Sequence, residues 1–356
     1  MKECIQLNNK QKKEHYDNLN GLRTIGALSI PFMHILANSQ YEITNKSAIN
    51  IIMSFAMFVQ LFFIMSAFGM CCGYYEKIKS GTISLNSFYL KRYKKLFPFF
   101  ALLALLDFIM GKGSDSIYEL FADLTLAFGL LPNSDIQVIG VGWTLGVIFA
   151  FYMLFPFFVF SIDNKKRAWF SLMIAVTFYY ACEYYFVVDG HQVRCNFLIW
   201  SSYFVTGGLI YLYRKKICEF FGDKRLSFFV VCCIASVLWS FLPKEHGIET
   251  LKTLTIFALW VMYAISVKSS FLNNRVTKFF SDISFEIYLS HMMIFRVVEK
   301  LGLINLSSND IVSYLITVTL VICLDTVFVV IVKKVLSYIM NFFENRKVIN
   351  SGIENI

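Results

Sequence analysis

Long apolar runs, separated by short polar and basic segments, most constrain the fold of this chain. Of its 356 residues, 57% are hydrophobic and 16% are charged, and the mean hydropathy is +0.59. Soluble domains average about half apolar and about a quarter charged residues. The length leaves room for about ten apolar helices of roughly 20 residues each. The composition therefore predicts an all-α integral membrane protein without a separate soluble domain.

Eleven apolar segments can be marked on the sequence. They are Leu22–Ala37, Ile51–Tyr74, Leu96–Met110, Leu120–Leu131, Trp143–Phe160, Ala168–Val188, Phe197–Tyr213, Leu226–Leu242, Leu251–Val267, Phe285–Val298 and Ile311–Val332. The segment Leu120–Leu131 is short and contains Asp123. Segments of about 10–14 residues are often re-entrant or interfacial rather than spanning. This segment is therefore predicted to be re-entrant or external.

The basic residues favour ten spans over eleven. Cytoplasmic loops of membrane proteins carry an excess of Lys and Arg. If all eleven segments spanned the membrane, the clusters Lys165–Arg167 and Arg214–Lys216 would lie outside. If Leu120–Leu131 does not span, every basic cluster lies inside. We therefore predict about ten transmembrane helices with both termini in the cytoplasm.

This topology divides the chain into three parts. A cytoplasmic N-terminal segment covers residues 1–19, a polytopic membrane domain covers 20–340, and a cytoplasmic tail covers 341–356. The first apolar segment is too long for a secretory signal and lacks a small-residue cleavage site. The expected location is the cell membrane, as a multi-pass protein of a bacterial plasma membrane.

Cysteine and charge patterns argue against two other classes of partner. The nine cysteines include two adjacent pairs inside apolar runs, Cys71-Cys72 and Cys232-Cys233, and form no metal-binding spacing. No metal cofactor is therefore expected. The net charge is +9, but the basic residues form short clusters between apolar runs. We expect membrane lipids as partners, and no nucleic acid.

Arg23 and His34 lie eleven residues apart in the first apolar segment. Eleven residues turn a helix by about 1100°, so both side chains share one face and lie roughly 16 Å apart along the axis. Ionisable side chains inside a bilayer face the bundle interior or a wet cavity and are functional candidates. A neutral imidazole can accept a proton from a hydroxyl group. A core histidine without a chemical role stays open as the alternative.

A second cluster lies at the predicted cytoplasmic start of the third helix. Lys91, Arg92, Lys94 and Lys95 occur within five residues. They can anchor the topology and contact anionic lipids. They can also bind a phosphate-rich cytosolic ligand, because one arginine can donate hydrogen bonds to two phosphate oxygens and a lysine adds positive charge. Arg23 is predicted at the same face and could share that anionic group.

Two later regions add candidates. Tyr288, Ser290 and His291 fall in a late apolar segment, and this second intramembrane histidine could form part of a polar wall. Glu286 lies on a different helix face from His291 and is given no role. Trp143 opens an apolar segment on the predicted external side, either as an interfacial residue or as a platform for a sugar. Three further carboxylates are expected to pair across helices: Asp107, Glu183 and Asp325.

The order of these elements resembles the acyltransferase family 3 membrane proteins. The matching elements are Leu19-Asn-Gly-Leu-Arg23 with His34, Phe62-Phe63-x-x-Ser66-x-Phe68, Arg92-x-x-Lys95-x-x-Pro98, Trp143-x-Leu145 with Phe151-Tyr152 and Pro156, and Tyr288-Leu-x-His291. They extend from about Asn18 to Met293. Three positions depart from the family pattern: Asn20 where Asp is frequent, Lys95 where Arg is usual, and Ile148 where Glu is frequent.

The resemblance implies acyl transfer from cytoplasmic acyl-CoA, commonly acetyl-CoA, to hydroxyl groups of a surface glycan or its lipid-linked precursor. It implies Arg23 and His34 as the catalytic pair, and Arg92 and Lys95 as the basic donor-side positions. The residues themselves add His291 as a further catalytic candidate, and Lys91 and Arg23 as further candidates for the donor site. Trp143 and Tyr288 are the candidates for acceptor binding. A secondary transporter or flippase for a polar lipid or glycan stays open, as does an inactive scaffold in a polysaccharide assembly complex.

Overall fold

A computed structural model describes residues 15–111, 115–126, 128–130, 140–185, 196–241 and 246–353. Every regular element within these ranges is helical. The α-helices are α1 Leu19–Asn38, α2 Lys46–Ser54, α3 Phe58–Met70, α4 Glu76–Lys79, α5 Leu85–Gly111, α6 Asp115–Thr125, α7 Trp143–Ser161, α8 Lys165–Tyr185, α9 Phe197–Phe221, α10 Arg225–Phe241, α11 His246–Ser266, α12 Arg275–Lys300 and α13 Asp310–Ile353.

Helices α2 to α4 form one continuous helical run. A 3-10 turn, Phe55–Met57, joins α2 to α3, and a π-helical turn, Cys71–Tyr75, joins α3 to α4. Each predicted apolar segment overlaps a helix within the described residues, and most of the helices extend beyond the apolar residues. Helix α12, for example, starts at a capping box in which the Asn274 side chain accepts hydrogen bonds from the backbone of Val276 and Thr277. Such caps satisfy the free N–H groups of the first turn and fix where a helix starts.

Four helices in the described residues are long and apolar enough to cross a membrane. They are Lys46–Lys79, Trp143–Ser161, Ile248–Ser266 and Asp310–Phe342, with Arg225–Trp239 as a shorter apolar helix. Exposed apolar side chains such as Trp169, Phe170 and Met173 suit contact with lipid. These observations support a membrane protein. The figure of about ten spans and the location of the termini stay predictions, and most of residues 1–19 and residues 354–356 lie outside the described part.

Helix α6 falls where a short re-entrant or external segment was predicted. Its 11 residues extend about 16 Å, which is less than the roughly 30 Å of a bilayer hydrocarbon core. A 3-10 turn, Phe128–Leu130, follows it. Its length therefore agrees with a segment that does not span, whereas its position relative to the membrane stays a prediction.

Helices α1 and α12 pack in parallel. The Thr24 hydroxyl donates a hydrogen bond to the carbonyl of Thr277 at 2.8 Å. Further along both helices, the rings of His34 and His291 lie 5.2 Å apart. The two contacts follow the same order on both helices, so the helices run in the same direction.

The basic clusters meet at one end of the helix bundle, which we call the basic end. Contacts joining the helix termini there are Asn18 with the carbonyl of Ala264 (3.2 Å), the Tyr75 hydroxyl with the carbonyl of Asp163 (3.1 Å), Lys79 with Asp163 (2.7 Å), Cys218 with the carbonyl of Ile265 (3.3 Å), and Lys333 with the carbonyl of Asp282 (2.8 Å). These contacts tie together the segments that carry Lys77 to Lys95, Lys165–Arg167, Arg214 to Arg225 and Lys268 to Lys278.

A glycine allows helices α9 and α3 to pack closely against each other. A Cβ atom at Gly207 of α9 would lie 2.3 Å from the carbonyl oxygen of Ile64 in α3. Only a residue without a side chain lets the two backbones approach so closely. Aromatic rings fill the neighbouring core, with Phe151 stacked on Phe204 at 4.3 Å. The position of α3, which carries part of the site described below, therefore depends on α9.

Candidate functional site

A cavity of about 720 Å³ opens at the basic end between α1, α3, α5, α7, α12 and α13. Its size lies in the range typical of small-molecule sites. Four cationic side chains line it, Arg23, Arg92, Lys95 and Lys333, together with Asp282 and Glu286. Because the cationic side chains outnumber the carboxylates, this space, which we call the basic cavity, suits an anionic ligand.

Helix α5 directs one face into the basic cavity. Arg92, Lys95 and Leu96 line it at the spacing i, i+3 and i+4, which places them on one stripe of a helix. Lys91 lies on another face, is exposed, and does not line the cavity. The structure therefore groups two of the three predicted basic candidates of this helix and leaves out Lys91.

Tyr74 binds one nitrogen of the Arg92 guanidinium group, whereas another nitrogen has no hydrogen-bond acceptor within the described residues. Its Nη2 donates to the Tyr74 hydroxyl at 2.7 Å, and its centre lies 4.8 Å from the centre of the Tyr74 ring. Its Nε atom is buried and finds no hydrogen-bond acceptor among the described residues. Buried donors are normally paired. Arg92 therefore carries one donor that the described residues leave unsatisfied.

Arg23 reaches the same cavity from α1. Asn20, one turn earlier, lines the cavity as well and accepts a hydrogen bond from the Ser281 hydroxyl at 3.0 Å. Gly69 of α3 faces Arg23, and a Cβ atom there would lie 3.8 Å from its Nη2. Arg23 is thus positioned between α3 and the start of α12, on the wall that also holds Asn20.

Lys333 and Glu286 form an ion pair inside the cavity wall. The Lys333 Nζ atom lies 2.7 Å from Glu286 Oε1 and donates to the carbonyl of Asp282 at 2.8 Å. The Glu286 side chain is 12% exposed, against 37% for Lys333. From the sequence, Glu286 is given no role and Lys333 is not singled out. No local pattern connects the two, because they come from different helices.

A histidine pair, the buried His291 and the half-buried His34, lies next to this cavity. His291 is only 1% exposed, and its ring lies 5.2 Å from that of His34. The Nδ1 atom of His291 is 2.8 Å from the carbonyl of Tyr288. Because a carbonyl only accepts, we assign the proton to Nδ1, which leaves a lone pair on Nε2 of the neutral ring. That Nε2 atom is buried and has no hydrogen-bond partner within the described part of the chain.

Tyr288 connects the basic cavity to the histidine pair. Its side chain lines the cavity, and its ring lies 6.1 Å from the ring of His291. Its hydroxyl donates to the carbonyl of Val141 at 3.1 Å. His34 does not line the cavity, although Arg23 does. The predicted pair therefore does not share one cavity wall: Arg23 faces the cavity, and His34 lies beside His291.

A family model described as an acyltransferase domain of type 3 matches residues 16–332. The chain belongs to acyltransferase family 3. The match includes every residue that lines the basic cavity except Lys333, which follows it directly. Searches among curated proteins and among solved structures each gave no match. Membership supports an acyltransferase enzyme, and it agrees with the apolar helices of a membrane protein.

The remaining candidates of this family 3 acyltransferase lie outside the cavity wall. Trp143 begins α7, as predicted, but packs inside the bundle against Trp200 at 5.5 Å and Phe63 at 6.3 Å. The structure therefore does not bring it to the cavity.

Asp325 accepts a hydrogen bond from Ser290 at 2.6 Å, which confirms that it pairs across helices.

One departure from the family pattern changes the chemistry of the cavity wall. Ile148, which the resemblance marks as a departure from the family pattern, lines the cavity one turn before Tyr152. The acyltransferase therefore has an apolar side chain at that place. Within the described residues, no group of three His, Cys, Asp or Glu side chains could hold a metal ion.

Proposed function

We propose that this family 3 protein is a membrane-embedded O-acyltransferase. It would move an acyl group, acetyl in the leading case, from acyl-CoA to a hydroxyl group of a cell-surface polysaccharide or its lipid-linked precursor. The observation that carries this proposal is the basic cavity with its four cationic side chains, placed next to the pair of His34 and the buried His291.

The cavity suits the phosphates of acyl-CoA. An arginine can bind two phosphate oxygens at once and a lysine supplies a point charge, and the side chains of Arg92, Arg23 and Lys95 all line the cavity. The basic end also carries the clusters that the positive-inside rule places in the cytoplasm, where acyl-CoA is found. The parallel packing of α1 and α12 supports ten spans, because the first and ninth spans would then run in the same direction. With eleven spans they would run in opposite directions.

The histidine pair offers a place for the proton of the acceptor. The acceptor oxygen would bond to the thioester carbonyl carbon while an imidazole takes the hydroxyl proton. The carbon–sulfur bond then breaks, and the thiolate of CoA receives that proton. The lone pair on Nε2 of His291 and the neighbouring His34 ring could each accept it. Arg23 would stabilise the negative charge on the donor.

Two roles for His34 stay open. It can act as a general base on the acceptor hydroxyl, or it can carry the acyl group transiently on a ring nitrogen. Tyr288 stands where the acyl group would pass from the cavity to the histidines, and we propose it as part of the acceptor site.

The alternative function, a transporter or flippase, could also have buried charged side chains, but it would not consume acyl-CoA. Vesicles containing the purified protein and labelled acetyl-CoA would therefore be assayed for release of CoA in the presence of glycan from cells that lack the protein. We expect the wild-type protein and the exposed control His15→Ala to release CoA and to label the glycan. His34→Ala should do neither while it accumulates normally. Transport of glycan without release of CoA, or a normal glycan label with His34→Ala, would contradict the proposal.

A further inference from the structure

A second cavity, of about 820 Å³, lies between α1, α3, α10, α11 and the segment Ser269–Leu272. None of its lining residues lines the basic cavity. The lining is apolar except for Arg225, Ser236, Tyr263 and Ser269, and it contains Phe58, Phe229, Phe257 and Trp260. We call it the apolar groove. Such a surface suits a hydrocarbon chain better than a sugar or a nucleotide.

The apolar groove has the depth of one membrane leaflet. Its residues on α10 run from Arg225 at the basic end to Ser236, with Leu226 and Phe229 on the same face. Eleven residues of helix extend about 16 Å, roughly half of the 30 Å hydrocarbon core. At the inner limit, Trp260 Nε1 donates to the Ser236 hydroxyl at 3.0 Å, so both polar groups are satisfied there.

The mouth of the groove is cationic and lies at the surface of the protein. Arg225 is exposed and forms no ion pair or hydrogen bond with any residue in the described part of the chain. Leu226 and Phe271 beside it are each 75% exposed. A basic side chain at the height of the headgroups attracts anionic lipid. Charge and depth together point to a ligand with a phosphate at one end and one hydrocarbon chain within the leaflet.

We propose that the apolar groove binds an anionic glycerophospholipid of the leaflet at the basic end. The lipid phosphate contacts Arg225, and one acyl chain lies against Phe229, Phe257 and Trp260. Leu22 and Ile25 of α1 line the same groove, whereas Arg23 between them faces the basic cavity. The bound lipid therefore packs against the helix that positions Arg23.

Lipid retention tests this site without any use of acyl-CoA. The full-length protein is placed in vesicles of equal parts phosphatidylglycerol and phosphatidylcholine, extracted in mild detergent, and analysed by native mass spectrometry. We expect the wild-type protein to retain phosphatidylglycerol in preference to phosphatidylcholine. Arg225→Gln should lower the retention of phosphatidylglycerol about fivefold, the amount expected for one basic residue at the membrane surface.

Two pairs of variants distinguish lipid binding in the groove from nonspecific attraction of lipid to the basic surface. Arg275 is the matched control for Arg225, because it is exposed, begins α12 at the basic end and does not line the groove. Ile256→Trp should fill the groove and remove the bound lipid, whereas the exposed Thr255→Trp, outside the groove, should not. Equal losses with Arg225→Gln and Arg275→Gln would overturn the proposal. So would equal retention of the two lipids by the wild-type protein, or an unchanged lipid count with Ile256→Trp.

Discussion

Lys333 on the last helix forms a 2.7 Å ion pair with Glu286 on α12, and both side chains line the basic cavity. Breaking a partly buried pair leaves one charge without its partner. The pair therefore joins two helices and also keeps a cation at the place where an anionic ligand would enter.

Lys333→Ala should weaken the binding of acyl-CoA. The variant loses a cation and leaves the Glu286 carboxylate facing the phosphates of the donor. A hydrogen bond to a charged group contributes about 1.5–3 kcal/mol, so the KM for acyl-CoA should rise roughly 10- to 100-fold. Steady-state kinetics in vesicles measure this. Lys334→Ala, at an exposed position outside the cavity, is the control. An unchanged KM would remove Lys333 from the donor site, and adding Glu286→Gln should restore part of the affinity.

Arg92→Lys should raise the KM for acyl-CoA as well, although it keeps the charge. A lysine cannot keep both the 2.7 Å bond to the Tyr74 hydroxyl and a paired contact with phosphate. We expect an increase of about tenfold in KM, with Lys91→Ala as the control because Lys91 does not line the cavity. Similar KM values for Arg92→Lys and the wild-type protein would show that a point charge suffices there.

His291→Asn should lower kcat with little effect on the KM for acyl-CoA. The asparagine amide can still donate to the carbonyl of Tyr288, as Nδ1 does now, but it lacks the lone pair of Nε2. Loss of general base catalysis typically costs about 100-fold or more in rate. A single-turnover measurement with labelled acetyl-CoA separates this from slow product release. If His291→Asn retains full kcat, His34 alone takes the proton.

Gly207→Ala should destabilise the fold, because its new methyl group would overlap the Ile64 carbonyl. Overpacking of this kind costs about 1–3 kcal/mol. Thermal unfolding in detergent should therefore occur at a lower temperature than for the wild-type protein. Gly73→Ala is the matched control, since a Cβ atom there meets nothing within 4 Å. Equal unfolding temperatures for the two variants would show that α9 does not need this close approach.

Most of the long helices could be predicted from sequence because they contain an apolar run with polar flanks. Trp143 marks the start of α7 in both the prediction and the structure. The ends of the helices were harder to predict from sequence. Helix α12, for example, starts at a cap and continues through charged turns before its apolar part. Apolar patterns locate the middle of a membrane helix, whereas local hydrogen bonds decide its first residue.

The site was predicted only in part. Helical spacing placed Arg23 and His34 on one face, but spacing alone does not show which neighbours stand between them. Helical spacing also placed Glu286 and His291 on different faces of α12. In the structure Glu286 lines the cavity and His291 does not, although the sequence analysis gave Glu286 no role. Lys333 could not be found at all, because its partner lies on another helix. Contacts between distant segments depend on packing that no local pattern records.

The parallel contact between α1 and α12 also bears on how the protein is made. Thr24 and its partner Thr277 are 253 residues apart in the chain. At a synthesis rate of roughly 5–20 residues per second, α1 waits about 13–50 s before α12 emerges from the ribosome. Until then, the face of α1 that packs against α12 is without its final neighbours. A chain that ends before α12 therefore lacks the contacts that hold α1 in its final position.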